Sequence, residues 1–180
     1  MPIIKEKKIE EDSWLFVADD EALPEGRDVI VSLHRMKELG NNRKLPQSGR
    51  LGVLLENTEN ALELKKWLDQ IDLVQLSFPA FTDGRAYSQS RILRTQLEYD
   101  GDIRATGDVL MDQAHLMERC GFSSFEISDT VSLEDWKRVT ASLDYSYQRG
   151  YELRSTETRS RLLSNQIQIP TETTNVILHV

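Results

Sequence analysis

From Leu51 onward the chain alternates short apolar runs with one-sided helical patterns, and this rhythm constrains the fold more than any other feature. LGVLLEN (51–57), LVQLSFPAF (73–81), DIRATGD (102–108) and SSFEISD (123–129) read as strands. The intervening segments have helical spacing. Residues 58–70 align Ala61, Leu64, Leu68 and Ile71, residues 87–98 turn Leu93 and Leu97 inward, and residues 110–120 align Leu110, Ala114, Met117 and Cys120. A fourth helix, SLEDWKRVTASLD (132–144), opens on Ser132 with Asp135 three residues on and buries Leu133, Trp136, Val139, Thr140 and Leu143. Strands alternating with one-sided helices imply an α/β domain with a mostly parallel sheet and right-handed crossovers. Such βα units suit an open doubly wound sheet or half of a (β/α)8 barrel, and the spacing does not choose between them.

Upstream, WLFVAD (14–19) and DVIVSL (28–33) are strand-like, forming either an antiparallel hairpin or the entry to the main sheet, and a short helix follows from His34. Three segments result: a charged N-terminal arm over 1–12, the α/β domain over 13–145, and a C-terminal arm or edge strand over 146–180 through which a homodimer could form.

Charge and cysteine content exclude several classes. The 180 residues carry a formal charge of −8, and the acidic excess lies wholly in the first 145, because 146–180 hold four arginines against three glutamates. That balance argues against a nucleic-acid partner. One cysteine, Cys120, rules out an intrachain disulfide and a paired-cysteine redox motif, and reads as a small core residue. No apolar stretch approaches a membrane span, and the charged N-terminus lacks a signal-peptide core, so a cytoplasmic location is expected. The three histidines are dispersed, and no dinucleotide, phosphate-loop or catalytic-triad pattern occurs. No cofactor is evident, and no metal set is expected.

The candidate site follows from the fold class. Parallel α/β sheets bind ligands outside the carboxyl ends of their strands, where helix N-termini supply free N–H groups. FPAFTDGRAYSQSR (78–91) delivers Asp83, Gly84, Arg85, Tyr87 and Ser88 to that edge, with Arg91 near the start of the following helix. Gly84 would allow positive φ, and Arg85 could fork onto an oxyanion. The next strand adds Arg104 within it, Gly107 and Asp108 at its end, and Asp112 and Gln113 in the following turn. A buried arginine needs a carboxylate, and Asp83 or Asp108 is the expected partner. Plainer roles stand beside these: Asp108 as a cap of the helix after it, Asn57 or Thr58 as a cap, Asp83–Gly84 as a turn, and Arg104 as one half of a structural ion pair. Glu56, Asp83, Asp108 and Asp129, at successive strand ends, are the weaker Mg²⁺ set. An enclosed polar pocket here would favour a small molecule; a flat surface with exposed aromatics would favour a protein partner.

FPAFTDGRAYSQSRILR (78–94) and IRATGDVLMDQAHLMERCGFSSFEI (103–127) together resemble the bacterial "domain of unknown function 934" family. The departures are mild: Ala86 stands where glycine is usual, implying no need for positive φ, and Ser90 where alanine is usual. The matching residues are Phe78, Pro79, Phe81, Asp83, Gly84, Arg85, Tyr87, Ser88, Arg94, Arg104, Gly107, Asp108, Asp112 and Gln113. Genes of that family typically lie beside sulfite reductase and adenylyl-sulfate or phosphoadenylyl-sulfate reductase, and an oxidoreductase label rests on that neighbourhood. The resemblance therefore implies an accessory role in assimilatory sulfate and sulfite reduction, with sulfite reductase or another sulfur-assimilation enzyme as partner. The residue-level alternative is an oxyanion- or phosphate-binding protein, or an enzyme using the strand-end site.

Overall fold

A computed structural model describes residues 2–42, 45–46, 48–128 and 131–141. The expected C-terminal arm, and Asp129, Leu143 and the Thr140 side chain, lie outside the described residues. Eight strands form one sheet: β1 (Ile3–Lys5), β2 (Lys8–Glu10), β3 (Leu15–Phe16), β4 (Val29–Ser32), β5 (Leu51–Leu55), β6 (Leu73–Phe78), β7 (Asp102–Gly107) and β8 (Ser124–Glu126). Their order is β2-β1-β8-β7-β6-β5-β4-β3. Strands β3 to β8 are parallel and lie in chain order. A doubly wound sheet must reverse direction partway; this one never does, and it curls as a half barrel.

Right-handed crossovers in a constant direction place every connector on one face. The helices are α1 (Leu33–Asn41), α2 (Arg85–Thr95), α3 (Ala114–Cys120) and α4 (Leu133–Ala141). Ser32 caps α1 by accepting from Arg35 N, and Ser132 bonds reciprocally with Asp135 at the start of α4, as its spacing predicts. The segment expected to be a helix over 58–70 is instead two 3-10 pieces, Ala61–Lys66 and Leu68–Gln70, and a 3-10 turn, Met111–Gln113, precedes α3. Ala61 and Leu64 still reach the core without a full α-helix, whereas Leu110, aligned with the inward positions in sequence, is exposed ahead of the 3-10 turn.

Alternate strand residues explain the core. Val29, Val31, Val53, Leu55, Val74, Leu76, Phe78, Ile103, Ala105 and Phe125 cluster with Leu33, Met36, Leu64, Leu93, Met117 and Trp136 from the helical layer. The intervening strand residues turn to the other, concave face. There Gln75, Arg104 and Ser124 stand in register across three strands, and Thr106 donates to Glu126. This face is polar over β7 and β8 and apolar at Ile30, Gly52 and Leu73, whereas the helix face is apolar throughout.

The N-terminal segment differs from the expected arm. Glu6 and Lys7, with φ of 48° and 60°, make a two-residue hairpin turn, and β1 pairs antiparallel with β8. Ile3 and Ile4 are buried, which pins the segment. The turn lacks the Asn-Gly or Asp-Gly signal, so the sequence shows only charge. The strands at 14–19 and 28–33 are not a hairpin: Leu15 and Phe16 pair parallel with Val29 and Ile30, the entry to the main sheet.

Two buried charges knit the layers. Arg94, 2% exposed, donates to the carbonyls of Gly121, Tyr99 and Gly101 at 2.9, 2.6 and 2.7 Å, tying α2 to the loops around β7. Asp102 accepts from Lys5 Nζ at 2.9 Å and from the hydroxyls of Ser123 and Ser124, joining the hairpin to β7 and β8. Burial pushes the Asp102 carboxyl up, but these donors outweigh it and hold it below its ordinary value.

Arg94→Met leaves three buried carbonyls without their donors and is expected to cost about 3 kcal/mol, lowering Tm by roughly 6 to 12 °C in calorimetry. A depressed carboxyl stabilises above the ordinary carboxylate range, and that contribution disappears as pH falls through its folded value. Asp102→Asn should therefore be less stable than wild type at neutral pH, the gap closing below about pH 4 in denaturant titrations.

Candidate functional site

The strand ends do converge, on hydrogen bonds made within the motif itself. Gly107 ends β7 with φ +91°, and an added Cβ there would lie 2.4 Å from the Phe78 carbonyl oxygen. Only glycine permits that turn, which brings Asp108 N to Phe78 O at 2.8 Å and the Asp108 carboxylate to Phe81 N at 2.9 Å. Asp108 thus braces the loop of the neighbouring strand. It is neither the cap of the helix after it nor the partner of Arg104.

Asp83 is held from three sides. Arg85 donates to it through the backbone N at 3.2 Å, Nε at 3.0 Å and Nη2 at 2.6 Å, and Asn57 donates through its amide. The Arg85 side-chain bond, then its backbone bond, hold the Asp83 carboxyl at about 2. Much of the Arg85 fork is therefore occupied by a carboxylate two residues away. Gly84 has φ −86°, so the expected positive φ is absent, and a Cβ there would meet only Tyr87 at ordinary contact distance. Ala86 is a buried residue in the first turn of α2, in keeping with its departure from glycine.

Tyr87 lies over Phe78 with ring centroids 5.2 Å apart in an edge-on arrangement, and Phe122 completes the cluster. Its hydroxyl donates to Gln113 Oε1 at 3.2 Å, and Gln113 Nε2 donates to Phe81 O at 3.3 Å. Burial raises the Tyr87 phenol to about 12. Gln89, buried on α2, donates to the carbonyls of Glu56 and Glu59 and anchors the loop after β5.

Asn57, Asp83, Arg85, Tyr87, Gly107, Asp108 and Gln113 thus form one neighbourhood. Ser88 and Asp112 are exposed beside it. Arg91 is exposed on α2, and its charge acts on Cys120 rather than on Asp83. Arg104 is not part of the cluster: it faces the concave side and pairs with Asp12 at 3.1 Å, so Asp83 and Asp108 are not its partners. Asp12 sits in the acidic run before Trp14, where sequence offers no sign that it reaches β7. Among the described residues, no group of three or more His, Cys, Asp or Glu side chains assembles as a metal site.

Phe81, matched in the motif, is not among the site residues expected from sequence. It is 52% exposed, at the head of a loop fixed by Asp108 and Gln113, and Leu110 is exposed after β7. The signal was its place in the motif, hidden because an aromatic after an apolar run reads as strand.

The chain belongs to the family described as "Bacterial protein of unknown function (DUF934)", which it matches over residues 52–157. That span includes both motifs and runs from the second residue of β5 through α4. No curated protein matches the chain. No helix among the described residues is long and apolar enough to cross a membrane.

Gly107→Ala should destabilise by about 2 to 4 kcal/mol, since strain and a backbone clash add, whereas Gly84→Ala should stay within about 0.5 kcal/mol of wild type. Urea titrations of the two variants check this contrast.

Proposed function

We propose that this chain is an accessory protein of assimilatory sulfate and sulfite reduction, docking onto sulfite reductase or another enzyme of that route through residues 79–85. The observation that supports docking is the exposed Phe81, presented on a loop whose polar groups are spent on one another. Exposed aromatics on a rigid support are the usual anchors of protein interfaces. The sulfur assignment is supported by the gene neighbourhood that the motif resemblance implies.

The oxyanion reading of the same strand ends has weaker support. Arg85 is more than half exposed, and its Nε and Nη2 are committed to Asp83. An incoming anion would have to displace a carboxylate that the chain itself supplies.

Phe81→Ser removes the anchor from an exposed position and should leave the fold intact. It is expected to weaken binding to sulfite reductase at least tenfold in a pull-down or interferometry titration, an effect of about 1.4 kcal/mol or more. A deletion strain should grow poorly on sulfate as sole sulfur source, rescued by wild type and not by Phe81→Ser. Normal growth of the deletion strain would refute the sulfur role; equal binding by wild type and variant would refute the docking surface.

A further inference from the structure

A second polar region lies on the concave face, away from the strand ends. Arg104 rises from the middle of β7 with its side chain 5% exposed. Its Nη1 donates to both Asp12 oxygens at 3.1 Å, while its Nε is buried with no hydrogen-bond partner. Arg104 borders a cavity of about 50 Å³, with Lys5, Ser13, Trp14, Arg50 and Asp102 around it. One water needs roughly 10 to 15 Å³ by this measure, so the space exceeds a single solvent molecule.

The hydrogen-bonding balance at this cavity is one-sided. Asp102 is engaged by Lys5, Ser123 and Ser124. Asp28 receives Arg50 Nε at 3.0 Å and Nη2 at 2.6 Å, and Asp12 receives Arg104. Glu10 and Glu11 border the cavity but are exposed. The unspent capacity at the buried end belongs to a donor, the Arg104 Nε. Trp14 holds the Arg50 guanidinium in place, 4.8 Å from its ring centroid.

We propose that this cavity binds a small oxyanion, which accepts from Arg104 Nε with Arg50 at its mouth. A planar carboxylate and a tetrahedral sulfate or phosphate share this chemistry. The inference stands on the Arg104 geometry alone and is independent of any docking partner.

The Nε–Hε signals of the arginines in ¹⁵N-labelled protein provide the direct test. Arg104 is assigned through its backbone connection, with Arg104→Lys as a second identification where that variant folds. Sodium sulfate, phosphate and acetate are titrated separately, with ionic strength held constant by sodium chloride. The expected result is a saturable shift of the Arg104 signal with at least one of these ions, the Arg85 signal staying in place. Arg50→Gln, at an exposed position, should weaken the same binding about tenfold. Movement with sulfate and phosphate but not acetate identifies a tetrahedral ligand; the reverse identifies a carboxylate. An Arg104 signal that no oxyanion moves, or that sodium chloride alone moves equally, overturns the proposal and leaves water as the occupant.

Discussion

Six parallel strands in chain order, each displaced the same way from the last, set the terms for everything else in this molecule. Constant direction and right-handed crossovers put the helical layer on a single face. One set of alternate strand residues can then be apolar throughout, and Val53, Val74 and Ile103 meet in register beneath the helices. The opposite set has no helices to meet. It carries Gln75, Arg104, Thr106, Ser124 and Glu126, and the N-terminal segment partly covers it: Trp14 lies against Gly52, where an added Cβ would sit 3.2 Å from the indole. Arg104 and Ser124 are buried beneath that cover, while Gln75, Thr106 and Glu126 stay partly exposed.

The motif at 78–91 and the motif at 103–113 are two halves of one brace. Gly107 turns the chain beside Phe78, Asp108 reaches across to Phe81 N, and Gln113 returns to Phe81 O and Tyr87. Several motif residues support the loop rather than act at its surface. Asp83 and Arg85 neutralise each other, Arg94 holds three carbonyls in the interior, and Gly107 makes room for a backbone. What the brace presents to solvent is an aromatic ring.

The parallel α/β core was legible because its signals are local: apolar runs of strand length, one-sided helices, and a Ser132–Asp135 cap. The strand-end neighbourhood was legible for the same reason, since chain order delivers residues 83 and 108 to one edge. Three things were not. Half barrel against doubly wound sheet depends on strand order, which no local pattern encodes. The Arg104–Asp12 pair spans 92 residues and joins two faces that sequence periodicity cannot distinguish. The hairpin over 3–10 uses Glu6 and Lys7 in left-handed geometry that neither residue type advertises.

The pairing of β1 with β8 also bears on how the chain is made. Ile3 faces Glu126 and Lys5 reaches Asp102, so β1 finds its place in the sheet only after β8, more than a hundred residues later, exists. At ordinary translation speeds of about 5 to 20 residues per second, that delay is on the order of ten seconds. The two isoleucines lie beside Lys5, Lys7 and Lys8 in the chain. Charge flanking an apolar strand disfavours edge-to-edge association, and Lys5, Lys7 and Lys8 supply it here.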